Sequence, residues 1–270
     1  MNLYVFEIRR QLKSLLVWFG VLALVLLLFM SFFPSMADSD MAQLTRIKLN
    51  AIPPAVREAL GITRTTDFSD ILQYFAYTAQ YILMAASIYA AILGVSALVK
   101  EEAEGTIEFL YAQPVSRTGI AAMKLLAIFT LLLLFNLLLF AVSALLFEIF
   151  RHPGYEYLPM LIAMFKGMLG GQAVFLVVGF ALSSVLSRFS NPGPIGLGLF
   201  FLTYLLGNIA LINRDLEWLK YLSPYHFVQP STILADGGAI QPPYPLVMLA
   251  IVVVAVVVAF WRYRNKDLMV

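Results

Sequence analysis

The sequence contains no cysteine and only two histidines, His152 and His226. Disulfides, thiolate metal sites and cysteine nucleophiles are thereby excluded. The histidines stand far apart, with no HExxH-type pair, so a zinc site has no local support. Charge is scarce as well: 13% of residues are charged, against about 25% in an ordinary soluble domain. The net charge of +2 comes from dispersed basic residues, without the concentrated stripe that nucleic acid requires. A GxxxxGK(S/T) phosphate loop is missing too, so the chain lacks that cradle for ATP phosphates.

What fills the sequence instead is hydrocarbon. Hydrophobic side chains make up 61% of it and the mean hydropathy is +0.86. That composition is the opposite of the disordered signature and reads as an integral membrane protein. A membrane helix needs about 20 mostly apolar residues. Six stretches qualify, at about 15–33, 72–99, 121–147, 168–186, 194–212 and 245–261. None alternates with period two, which disfavours a β-barrel and makes the fold an all-α bundle of six transmembrane helices. The first stretch, with Arg9, Arg10 and Lys13 before it and Ser35-Met36-Ala37 after it, superficially resembles a signal peptide. Its apolar run is longer than a signal's ~7–15 residues and five more spans follow, so it is read as a span.

Lysine and arginine counts set the orientation. With both termini in the cytoplasm, the short inner segments carry Arg9, Arg10, Lys13, Lys100, Arg117, Lys124, Arg188, Arg262, Arg264 and Lys266. The outer segments are longer and hold fewer. Residues 1–14 form an amphipathic elbow helix on the inner leaflet, with Tyr4, Val5, Ile8 and Leu12 on one side and Glu7, Arg9, Arg10 and Lys13 on the other. Residues 15–270 form the six-span domain. The first outer loop contains Pro53-Pro54 and a short helical run, 55–60, while the last one mixes aromatics with breakers in the manner of short interfacial or re-entrant pieces.

The inner loop between spans two and three is the informative one. Glu101, Glu102, Glu104 and Glu108 crowd into it. Thr106 is a good N-cap, Glu108 suits a first helical turn and Pro114 ends the run, which predicts a short helix at about 107–113. So short a helix needs a partner surface. An acidic cluster is not favoured beside an anionic leaflet, whereas a basic protein partner with an apolar groove accounts for both features.

The pattern Glu101-x-x-x-Gly105-Thr106-x-Glu108-x-Leu110-x-x-x-Pro114-Val115-Ser116-Arg117 resembles the signature of ATP-binding-cassette exporter permeases of the ABC-2 type. Leu49-Asn50-Ala51-Ile52-Pro53 with Gly61, and Leu222-Ser223-Pro224-Tyr225-His226, are weaker matches to the same family. The resemblance implies that the predicted short helix is a cytoplasmic coupling helix docked on an ATPase subunit, with Glu101, Gly105, Thr106, Glu108 and Arg117 as docking candidates. It further implies a multi-pass permease of the cell membrane, pairing with a second permease, identical or related, and with two ATPase copies. ATP and Mg would be bound by those ATPases and no cofactor by this chain.

Within the spans, Gln73, Tyr77, Gln80 and Tyr81 lie near one face of span two, and Tyr204 and Asn208 lie in span five. They serve either as interhelical hydrogen-bonding groups or as the lining of a pathway. Ala86, Ala90 and Gly94 in span two, and Gly167 with Gly171 in span four, have the spacing of close helix packing. Lys166 is read as the one basic residue near a span interior, satisfied by snorkelling, and no carboxylate is placed in a span core. The competing function is an ion-gradient-driven secondary transporter, which calls for inverted repeats, broken helices and buried ionisable residues. An intramembrane enzyme lacks a nucleophile-base or metal constellation.

Overall fold

The computed structural model describes residues 3–53, 56–57, 67–106, 115–186 and 191–266. Among the described residues, six helices are long and apolar enough to cross a membrane. They are α1 (Leu3–Ser31), α4 (Ile71–Ala103), α5 (Arg117–Phe150), α6 (Leu158–Val185), α7 (Pro192–Ile212) and α10 (Tyr244–Arg264). Short helices α2 (Phe33–Ala37) and α3 (Ser39–Asn50) follow the first span. A 3-10 turn (Arg214–Leu222), α8 (Pro224–Phe227) and α9 (Pro230–Ala235) precede the last. No strand occurs among the described residues.

Local chemistry sets the helix ends. The Asp70 carboxylate accepts from the Gln73 amide and caps α4, and the Ser116 hydroxyl accepts from the Gly119 amide and caps α5. Pro192 opens α7, where a missing amide costs nothing. At the end of α4, Gly105 adopts φ +70 and the Thr106 amide donates back to the Glu101 carbonyl at 2.9 Å, a Schellman closure that needs a glycine.

Close approach of small residues organises the interior. A Cβ at Gly94 of α4 would lie 2.1 Å from the Leu176 carbonyl oxygen of α6, and one at Gly179 would lie 2.7 Å from the Ala91 carbonyl oxygen. The two helices therefore touch backbone to backbone, as small residues allow. Gly196 brings α7 onto the backbone of Ile92 in the same way. On α6, Gly167 and Gly171 receive Ile233 and Val228 from the folded-back segment, so the expected glycine packing is present and its partner is α8 and α9. The middle of the aromatic and proline-rich stretch is thus a buried insertion, with Pro224, Tyr225, Phe227 and Val228 in the core, while Trp218 and Leu222 before it are exposed. Helices α1 and α5 pair along their length, and Asn136 of α5 donates to the Gln172 side chain of α6 at 2.7 Å inside the bundle. The outward faces are apolar: Leu24, Leu137, Leu202, Leu246 and Val257 are all more than half exposed. A surface of that kind belongs in lipid rather than water.

Three expectations change. First, the amphipathic start is no separate elbow: α1 runs unbroken through Ser14. Part of its polar side turns inward, with Glu7 and Gln11 buried and Arg10 half-buried, while Arg9 and Lys13 stay exposed and Val5, Phe6 and Leu12 face out. The reason is a cation waiting on α5, described below. Second, the fourth span begins at Leu158 rather than Met168. Leu161, Met164, Phe165 and Met168 bury one face of that extension and Lys166 stays exposed on another, so the lysine does not end the helix. Third, the first loop carries helix α3, over residues to which the sequence reading assigned no helix. The predicted helices at 55–60 and 107–113, with Glu108, lie largely or wholly outside the described residues.

Candidate functional site

Lys124 stands in the first turns of α5 amid apolar neighbours, and its side chain is 1% exposed. An ammonium ion so placed must find partners or lose its charge. It finds three. The Nζ donates to Glu101 Oε1 at 2.6 Å, to Glu7 Oε1 at 2.9 Å and to the Ala97 carbonyl at 2.7 Å. Arg10 adds a second cation: its Nη1 donates to Glu101 Oε1 at 2.9 Å and its Nη2 lies 3.5 Å from Glu7 Oε2. Two carboxylates thus face two cations, and α1, α4 and α5 meet at a neutral, buried cluster. This is why Glu7 turns into the bundle.

The neighbouring Glu102 points the other way. Lys266, just beyond α10, donates its ammonium to Glu102 Oε1 at 2.7 Å and to the Leu186 carbonyl at the end of α6. Arg117, at the start of α5, donates to the Lys266 carbonyl at 2.7 Å. The last turn of α4 is consequently tied to α1 and α5 on one side, and to α6 and the chain after α10 on the other. The segment joining α4 to α5 leaves this frame at Thr106 and returns to it at Arg117.

Of the docking candidates, Glu101 is buried in the first cluster, Gly105 and Thr106 form the exposed closure of α4, and Arg117 anchors to the C-terminal stretch. Glu108 falls outside the described residues. The sequence reading missed Glu7, Glu102, Lys124 and Lys266 as partners, and it named Lys166 rather than Lys124 as the span-interior cation. The signal was present: a lysine between Ala121 and Leu126, in a run with no local carboxylate, demands a distant one. Glu101 likewise lies in the last turn of a spanning helix, at its end and outside the span core.

The polar residues at the opposite end divide into two groups. Gln73 Oε1 accepts from the Asp67 amide at 2.6 Å, and the Tyr81 hydroxyl donates to that of Tyr77 at 2.9 Å on an exposed face. Gln80 is buried, and its carbonyl accepts from the Tyr225 hydroxyl at 3.4 Å. Tyr204 stacks on His226 with ring centroids 6.3 Å apart, and the Asn208 amide donates to the Tyr204 carbonyl. His226 fits only because residue 207 is glycine: a Cβ there would lie 2.0 Å from the imidazole Cδ2. Burial holds the His226 imidazole down to about 4, so the ring is neutral near pH 7. Between the helices at this end, the Tyr155 hydroxyl donates to Asp70 Oδ2 at 2.6 Å, and burial pushes that phenol up from its ordinary range.

No curated protein matches the sequence. The family model for the ABC-2 family transporter protein matches residues 1–268, which spans the six helices and both charge clusters alike. With the apolar six-helix bundle already established, the match makes this a multi-pass membrane component of transport, and the chain belongs to the ABC-2 transporter family.

Proposed function

We propose that this chain is the membrane-spanning permease subunit of an ATP-binding-cassette exporter, and that it moves an amphipathic or hydrophobic substrate outward. Both termini face the cytoplasm in this reading. A separate ATPase, in two copies, binds ATP and Mg and acts on a pair of permeases, identical or related. The chain's own part is mechanical. Docking falls to the segment between α4 and α5, with Gly105, Thr106, Glu108 and Arg117 in contact and Glu101 as an anchor behind them. The pathway runs past Tyr77 and Tyr81 towards Tyr204 and Asn208.

The observation that carries the proposal is the anchoring of that segment at both ends. A pull on a free loop would be absorbed by the loop. Here Glu101, Glu102 and Arg117 connect its roots to α1, α5, α6 and the C-terminal stretch, so displacement is passed to whole helices. The experiment is co-purification from native membranes in mild detergent. The ATPase should accompany the parent chain in stoichiometric amount and be lost with Glu108→Lys, while insertion is unchanged. Retention of the ATPase by that variant overturns the docking assignment.

An ion-gradient-driven transporter is the second reading, and the buried carboxylates Glu7 and Glu101 are what it would use. Their pairing with Lys124 and Arg10 is balanced in charge, which favours a fixed structural role. Transport by the reconstituted chain in a proton gradient, without ATPase, would reverse that preference.

A further inference from the structure

A cleft of about 640 Å³ opens between α1 and α4 at the end that carries the charge clusters, with Leu186 and Pro192 closing one side. Its volume lies within the 300–1,000 Å³ typical of small-molecule sites. The lining is graded along the helix axis. At the mouth stand Arg10 and Lys13 of α1 opposite Lys100 of α4 and Glu104 just beyond its end. Four to eight residues further along α1, about 6–12 Å at the rise of a helix, the walls are Val17 and Trp18 facing Ile92 and Val95. The two helices run antiparallel, so both change from charged to apolar in the same direction.

The cations at the mouth are unequally engaged. Arg10 is held by Glu7 and Glu101. Neither Lys13 nor Lys100 takes part in an ion pair among the described residues, and Glu104 is the one carboxylate lining the same mouth. Beyond Val17, the apolar wall continues onto the exposed face of α1 through Val21 and Leu24, each more than half exposed. A molecule seated here therefore meets cations at one end, an apolar slot over the next turns and a lipid-facing surface beyond.

We propose that this cleft is a binding site for an anionic phospholipid of the adjoining leaflet. The phosphate group sits between Lys13 and Lys100, and one acyl chain lies along Val17, Trp18 and Ile92. Charge complementarity selects the anionic headgroup, because a zwitterionic one brings its own cation to a mouth already rich in them. The graded walls select a lipid over a soluble anion, which would leave the apolar slot empty. The site does not rest on the ATPase-coupled reading, and its test is independent of any partner ATPase.

Trp18 supplies the probe. The full chain is reconstituted with phosphatidylglycerol or phosphatidylcholine carrying brominated acyl chains, and quenching of tryptophan emission is followed against lipid mole fraction. Trp18→Phe defines the share due to this position. The expected result is half-maximal quenching of the Trp18 share at a mole fraction roughly fivefold lower for phosphatidylglycerol per engaged lysine. Lys13→Gln with Lys100→Gln should remove the difference while leaving quenching by phosphatidylcholine unaltered. Neither lysine makes an ion pair among the described residues, although Lys100 feels the charges of Arg10, Glu7, Glu101 and Glu104, and the comparison of the two lipids on the parent chain decides the matter even if that double variant folds poorly. Equal quenching by the two lipids overturns the proposal, leaving an unselective apolar surface. Absence of any Trp18 share, together with cross-linking of two chains across α1, overturns it in favour of a second copy covering the cleft. Protection from quenching by inorganic phosphate, with no preference between lipids, overturns it in favour of a soluble anion.

Discussion

Lys124 of α5 donates its ammonium to Glu101 of α4 across 2.6 Å, and neither side chain has appreciable contact with solvent. Pairs of this kind are expensive to assemble and more expensive to break, because the surviving partner is left charged in a low-dielectric interior. Replacing Lys124 by Met leaves Arg10 alone against Glu7 and Glu101. The expected loss is about 3–5 kcal/mol, read as a lower melting temperature and reduced monodisperse yield in detergent. Adding Glu7→Gln restores a one-to-one balance of charge and should recover a large part of the loss. No recovery in the double variant would show that the cluster is not an electrostatic unit.

The backbone contact of α4 with α6 gives a second expectation. Gly94→Ala forces a methyl group to within 2.1 Å of a carbonyl oxygen, so the helices must separate, at a cost of about 1–3 kcal/mol. Gly20 of α1 has nothing within 4 Å of its would-be Cβ. Gly20→Ala should therefore stabilise by up to about 1 kcal/mol through helix propensity alone. Thermal unfolding of the two variants side by side tests the contrast.

His226 gives a pH dependence with a definite sign. Its folded value of about 4 lies below the ordinary 6.5, so between those limits the unfolded chain binds more protons than the folded one. Stability from this residue is complete above about pH 6.5 and is lost as pH falls towards 4. Melting temperatures measured across that window should fall more steeply for the parent chain than for His226→Gln. Equal slopes would remove His226 as the cause.

Lys266 tests transmission as distinct from docking. Lys266→Met releases Glu102 and the end of α6 and leaves the sequence of the 107–114 segment unchanged. In the ATPase-coupled reading the ATPase should still co-purify, while transport per ATP hydrolysed falls several-fold. Reconstituted vesicles with both quantities measured supply the check, and an unchanged ratio would dismiss the C-terminal tie.

The sequence made the number of spans and the all-α class legible, because 20-residue apolar runs declare themselves without reference to neighbours. The close-packing role of Gly94, Gly167 and Gly171 was legible in the spacing for the same reason. Partnerships were not. Glu7 and Lys124 are separated by 117 positions, and nothing local in an amphipathic N-terminus says that Glu7 and Gln11 turn inward while Arg9 and Lys13 stay exposed. The start of α6 was hidden because Lys166 lowers the local apolar density, although the helix simply rotates that side chain outward. For His226, the deciding neighbour is the absence of a side chain at Gly207, a relation that no spacing rule contains.

The glycine contacts also fix which motions the bundle has available. Backbones that touch at Gly94, Gly179 and Gly196 interlock like teeth, and sliding one of these helices along another would drive a carbonyl oxygen into a neighbouring chain. Helices α4, α6 and α7 therefore form a single wedge. In the proposed ATPase-coupled reading, a stroke delivered at the foot of α4 would tilt that wedge as one piece against the α1 and α5 pair.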